Sequence, residues 1–143
     1  MSRENIEIVR ALVPPPEVDL VSLFRDAELY EQAVTALEEI IDPGVQSVAM
    51  WQGADAPVHR GVDGFRQLWL DWLEPWATYH VHAERLIDAG DRVVVLIRDR
   101  ARRDDAGPEV ELISGSVWEV RDGRIVRVQF CRDQAQALEV AGL

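Results

Sequence analysis

Apolar positions recur at helical spacing through the first half of the chain and then at alternate positions through much of the second. A first helix is predicted over residues 3–13, with Ser2 as its cap, and Pro14-Pro15-Pro16 must end it because proline lacks the amide hydrogen a helix needs. The stretch VDLVSLF reads as a helical turn. Asp26 then caps a second helix, whose apolar positions Tyr30, Ala33, Val34, Leu37, Ile40 and Ile41 continue until Asp42-Pro43-Gly44. A strand over 45–52 and a brief return over 58–60 precede a helix over 61–77 that carries Phe65, Leu68, Trp69, Trp72, Leu73 and Trp76. Strands are predicted over 79–87, 92–103, 109–121 and 124–132, followed by a last helix capped by Asp133. Helices followed by a run of antiparallel strands imply an α+β fold in one domain, residues 1–143, with helices covering the single apolar face of one sheet.

Two hairpins decide which residues meet those helices. A two-residue Asp122-Gly123 turn would pair Val120 with Ile125 and set Trp118 and Ser116 against Arg127 and Gln129, mixing polar and apolar faces. A three-residue turn with Gly123 left-handed sets Ser114, Ser116 and Trp118 beside Val126, Val128 and Phe130, and this register is preferred. In the preceding hairpin, Arg98, Arg100 and Arg102 face Glu109 and Glu111. The opposite face then gathers Val93, Val95, Ile97, Asp99 and Ala101 with Val110, Leu112, Ser114, Ser116 and Trp118. An apolar face with a few convergent polar groups has the character of a small-molecule site.

The 143 residues carry a formal net charge of −11, which disfavours nucleic acid and anionic membrane as partners. A hydrophobic share of 48% is too high for a disordered chain at this charge, so the acidity belongs on a solvated exterior. Cys131 is the only cysteine, which is compatible with a cytoplasmic setting; no export signal or membrane span is expected.

The segments GVDGFRQLWLDWLEPWATYHVHAERLIDAGDRVVVLIRDR and VWEVRDGRIVRVQFCRDQAQALEVAGL, with SRENIEIVRAL at the start, resemble the nuclear transport factor 2-like superfamily and, within it, the SnoaL-like branch related to ketosteroid isomerases and polyketide cyclases. That resemblance implies a cone-shaped barrel: a strongly curved antiparallel sheet wrapped around N-terminal helices, open to a hydrophobic pocket, in a homodimer. It also aligns the isomerases' aspartate base with Gln52, their oxyanion-stabilising aspartic acid with Ser116 and their first-helix tyrosine with Ala11. Ser114 and Ser116 stand where epoxide hydrolases of this fold keep an arginine and an aspartate.

The expected function is binding of a small, largely apolar organic molecule, with Gln52, Trp72, Trp76, Ser114, Ser116, Trp118, Phe130 and Arg132 as its contacts. An acid/base enzyme of the isomerase, cyclase or dehydratase type is the alternative. It would use Asp99, whose pKa burial would raise, or His59, an acid/base candidate near the expected cone mouth. A non-catalytic interaction module with a filled cone is a further alternative. His80, His82 and Glu84 share one strand face, yet they read as solvated or interfacial, and neither a metal nor a cofactor is expected.

Overall fold

The computed structural model describes residues 2–53 and 55–143. Helix α1 (Ser2–Leu12) stops before the triple proline; the cap assigned to the Ser2 side chain lies outside the described residues. Helix α2 (Leu20–Arg25) begins where Asp19 accepts a hydrogen bond from the Val21 amide. In α3 (Ala27–Ala36), Asp26 accepts from the amides of Glu28 and Leu29, so both caps satisfy donors that a helix start leaves free.

Helix α3 ends at Ala36 instead of continuing to Asp42. The apolar spacing through Ile40 and Ile41 belongs to a turn and then to strand β1 (Ile41–Ala49), because the Ile125 amide donates to the Ile40 carbonyl and draws that segment into the sheet. A 3-10 turn at Met50–Gln52 and the two-residue strand β2 (His59–Arg60) lead to α4 (Gly61–Leu73). Helix α4 is shorter than the predicted 61–77, as expected where Pro75 restricts the residue before it. The Arg25 guanidinium donates to the carbonyls of Leu73, Glu74 and Trp76 at and beyond the end of α4.

Strands β3 (Thr78–His80), β4 (Ala83–Ala89), β5 (Arg92–Arg102), β6 (Val110–Arg121) and β7 (Arg124–Cys131) complete one seven-stranded sheet. Its order is β2-β1-β7-β6-β5-β3, with β4 pairing along the same edge of β5 as β3. The single strand expected over 79–87 is thus two pieces interrupted at Val81 and His82. All pairings are antiparallel except β1 with β7, which run parallel. Register shifts in the β1–β7, β4–β5 and β6–β7 pairs bend the strands, as bulges do, and the sheet curves around α1, α2 and α4.

The β6–β7 hairpin combines features of both sequence readings. The turn is the two-residue one: Asp122 and Gly123 have φ of 52° and 77°, and Val120 pairs with Ile125. A register shift follows at once, so that Trp118 pairs with Val128 and Ser116 with Phe130. Val126 is therefore an extra, half-buried residue, and Ile125 takes the inward place expected for it. The β5–β6 register matches the expected one, with Val95 opposite Ser116, Ile97 opposite Ser114 and Asp99 opposite Leu112.

The inner sheet face and the helices share two adjoining cores. One contains Val9, Leu68, Val95, Trp118 and Phe130; the other contains Leu20, Phe24, Leu73, Trp76 and Tyr79. The outer face was expected to be polar, but part of it is a third apolar layer. Val94, Val117 and Cys131 are buried there against Ala137 of the last helix, α5 (Gln134–Val140). Gly115 permits that approach, since a β-carbon on it would lie 2.7 Å from Ala137 Cβ.

Candidate functional site

Alternation along β5 sends Val93, Val95, Asp99 and Ala101 to buried positions while Arg98 and Arg100 point outwards. Asp99 is left 3% exposed. Strand β3 pairs Tyr79 with Ala101, two residues beyond Asp99, and the Tyr79 side chain enters the same interior at 1% exposure. There its hydroxyl donates to Asp99 Oδ2. Asp19 supports this placement: Oδ1 accepts from both the Val21 amide at the start of α2 and the Tyr79 amide, each at 3.0 Å.

Asp99 Oδ1 has no hydrogen-bond partner among the described residues. Burial pushes the Asp99 carboxyl up to about 7, against the opposing pull of the Tyr79 hydrogen bond. The Tyr79 phenol is itself raised well above its ordinary value, first by burial and then by the charge and hydrogen bond of Asp99. It remains protonated and donates to the Asp99 carboxylate.

Both residues line a cavity of about 560 Å³ whose wall is mostly aliphatic and aromatic. Its polar contributors besides Asp99 and Tyr79 include Ser114, Ser116 and Arg132. Ser116 is fully buried, and its Oγ accepts from Trp118 Nε1 at 2.8 Å. The Tyr30 hydroxyl, also in the lining, donates to the Val62 carbonyl. A volume of this size accommodates a small organic molecule, and the buried wall gives the carboxyl little water to compete with.

Of the residues read from sequence, Asp99, Trp72, Ser114, Ser116, Trp118, Phe130 and Arg132 line this cavity. Arg132 also lies 3.4 Å from Asp133 with its side chain 63% exposed. Gln52 and His59 instead line a second cleft of about 140 Å³, with Asp71 and the shared indoles of Trp51 and Trp72. The Trp51 and Trp72 rings pack 5.2 Å apart and take part in both linings. Trp76 is absent from either wall and packs on Tyr79 at 6.1 Å. The tryptophan helix therefore mixes roles: Leu73 fills core, whereas Trp69 and Trp72 reach the cavity.

The sequence reading missed Tyr79 and Trp69 as site residues. Tyr79 had a usable signal, since its strand parity is opposite to that of His80, His82 and Glu84, the face read as solvated or interfacial. His80 Nδ1 lies 2.9 Å from the Pro16 carbonyl oxygen. Among the described residues no cluster of three or more histidine, cysteine or acidic side chains is arranged to hold a metal, and no helix is long and apolar enough to cross a membrane.

The sequence pattern of the SnoaL-like domain family matches residues 22–128. No curated protein is matched. Among solved structures, the chain is similar to TerC crystallised with polyporic acid, at 19% identity and a TM-score of 0.62 over 98% of this chain and 99% of that one. It is also similar to a protein described as a SnoaL-like polyketide cyclase from Jannaschia sp. CCS1, at 17% identity and a TM-score of 0.67 over 98% and 92% of the two chains. A third is a protein of ketosteroid isomerase-like fold from Catenulispora acidiphila in complex with trimethylamine, at 16% identity and a TM-score of 0.60 over 96% and 93%. These likenesses concern the fold.

Proposed function

Because the chain belongs to the SnoaL-like domain family, we propose that its cavity takes a small, largely apolar organic molecule and that Asp99, held by Tyr79, moves a proton on that molecule. The observation that carries this reading is a carboxyl buried at the wall of an apolar cavity, with one oxygen held by a phenol and the other unpartnered. A buried carboxyl with a pKa of about 7 is divided between base and acid near neutral pH, the condition that suits proton transfer in both directions. A cavity of about 560 Å³ also supports a ligand over a cone filled with side chains.

The reaction type is abstraction of a proton from carbon beside a carbonyl. Asp99 Oδ1 takes the proton, the C–H bonding pair moves into an enolate, and the proton returns at another carbon in an isomerisation. In a cyclisation, the enolate carbon attacks a second carbonyl of the same molecule, whose oxygen takes the proton. Neither course needs an oxidant or reductant. Asp99 takes this role ahead of His59, which lines the other cleft.

β-Tetralone, an apolar ketone with acidic hydrogens beside its carbonyl, is a direct probe in deuterated water. Wild-type protein is expected to speed deuterium incorporation, and Asp99→Asn to lower that rate by about 100-fold or more while tryptophan fluorescence still reports binding. Equal rates in the two proteins would overturn the assignment to Asp99. Binding without any acceleration would leave a carrier of such molecules.

We also propose a cytoplasmic homodimer. The outer face beyond α5 carries the Arg98 bridges to Glu84 and Glu111 beside exposed Ile113, which supports association there. Sedimentation as a monomer across micromolar concentrations would refute it.

A further inference from the structure

Three buried side-chain polar atoms among the described residues have no hydrogen-bond partner: Ser47 Oγ, Trp69 Nε1 and Asp99 Oδ1. Trp69 and Asp99 line the same cavity, whereas Ser47 does not. Trp69 cannot easily turn its N–H elsewhere. Its ring stacks on Phe24 at 5.4 Å and 22°, meets Tyr79 edge-on at 6.0 Å and 74°, and meets Phe130 edge-on at 5.4 Å and 83°. The contact with Tyr79 puts this indole next to the residue that holds Asp99.

An indole N–H only donates, and a buried donor without an acceptor is costly. Of the other cavity indoles, Trp118 is already satisfied by Ser116 and Trp72 hydrogen-bonds Tyr79. We propose that Trp69 Nε1 donates to a carbonyl oxygen of the ligand, so that the cavity selects neutral ketones over hydrocarbons of the same shape. This deepens the reading of the cavity as a site for a small, largely apolar molecule and rests on that reading. A donor at the carbonyl oxygen stabilises the negative charge that develops there when Asp99 removes the neighbouring proton. A neutral ligand fits better than a carboxylate, because the only cationic side chain in the lining among the described residues, Arg132, is paired with Asp133 and largely exposed.

The test compares β-tetralone with tetralin, which has the same rings without the carbonyl, by calorimetry on wild type and Trp69→Phe. Wild type is expected to prefer the ketone by about tenfold, and Trp69→Phe to bring the two affinities to within about twofold of each other, with tetralin binding little changed. A retained preference in Trp69→Phe would overturn the inference, and so would a wild type that binds neither compound. Nitrogen-15 labelling of the indoles gives a readout that does not depend on the variant's folding. In wild type, one indole N–H resonance is expected to move downfield with β-tetralone and not with tetralin; no such difference would equally overturn the inference. Failure of deuterium exchange alongside a lost preference in Trp69→Phe would remove the proton-transfer reading and leave ketone recognition standing.

Discussion

The Tyr79 hydroxyl donates to Asp99 Oδ2 inside the protein, between residues 20 positions apart on the paired strands β3 and β5. The bond favours the carboxylate over the carboxylic acid, while burial favours the acid, and burial is the larger effect. Tyr79→Phe deletes this donor, together with the phenol's hydrogen bond to Trp72. The Asp99 carboxyl is expected to titrate above its wild-type value of about 7. Folding is expected to weaken by roughly 1.5–3 kcal/mol at pH 8, where the carboxylate loses a charge-assisted bond, and by less at pH 5. Carbon-13 spectra of labelled aspartate check the first expectation and urea unfolding the second. An unchanged or lowered Asp99 titration would refute the role given to Tyr79.

Because Asp99 is raised from 3.8 to about 7 on folding, between those values the folded protein holds a proton that the unfolded chain has released. Stability from this group therefore falls as pH rises through that window and levels off above about 7, a total of roughly 4 kcal/mol. Asp99→Asn keeps the shape and removes the titration. The variant should match wild type near pH 4 and exceed it at pH 8. Parallel urea-unfolding curves for the two proteins from pH 4 to 8 would contradict this. Deuterium exchange has the opposite trend, since the base form of Asp99 accumulates with pH: its rate should rise and reach a plateau above about 7.

Ser116→Ala leaves the buried Trp118 indole N–H without its acceptor. A loss of about 1–3 kcal/mol is expected in chemical unfolding, the cost of an orphaned buried donor. A change within error would mean that the indole finds another acceptor.

Gly115→Ala tests the packing of α5 on the outer sheet face. The added β-carbon would stand 2.7 Å from Ala137 Cβ and 3.4 Å from the Val95 carbonyl oxygen, so helix or strand must shift. Destabilisation by about 1–3 kcal/mol is expected. The double variant Gly115→Ala, Ala137→Gly should recover part of it, which separates crowding at this contact from a general effect on β6.

The long strands and their inward residues were legible in the sequence because alternation has a fixed period of two. Once Arg98 and Arg100 were set outside, Val95, Ile97 and Asp99 had to lie inside, and the opposing positions Leu112, Ser114 and Ser116 followed. Asp133 and Asp26 were readable as caps for a similarly local reason, since each accepts from amides within three residues of itself.

Contacts made across the fold were not legible in that way. Helical spacing through Ile40 and Ile41 suggested a longer α3, but the Ile125 amide bonds to Ile40 and takes the segment into the sheet. Only the three-dimensional arrangement divided Gln52 and His59 from Asp99, because the chain turns at Met50–Gln52 and directs them to a separate cleft. The sequence by itself determined the strand parity that buries Asp99. Tertiary structure alone decided that Tyr79 would satisfy one of its oxygens and that Trp69 would be held beside that pair without an acceptor, because hydrogen-bond partnership depends on distances between strands and helices that no local period encodes.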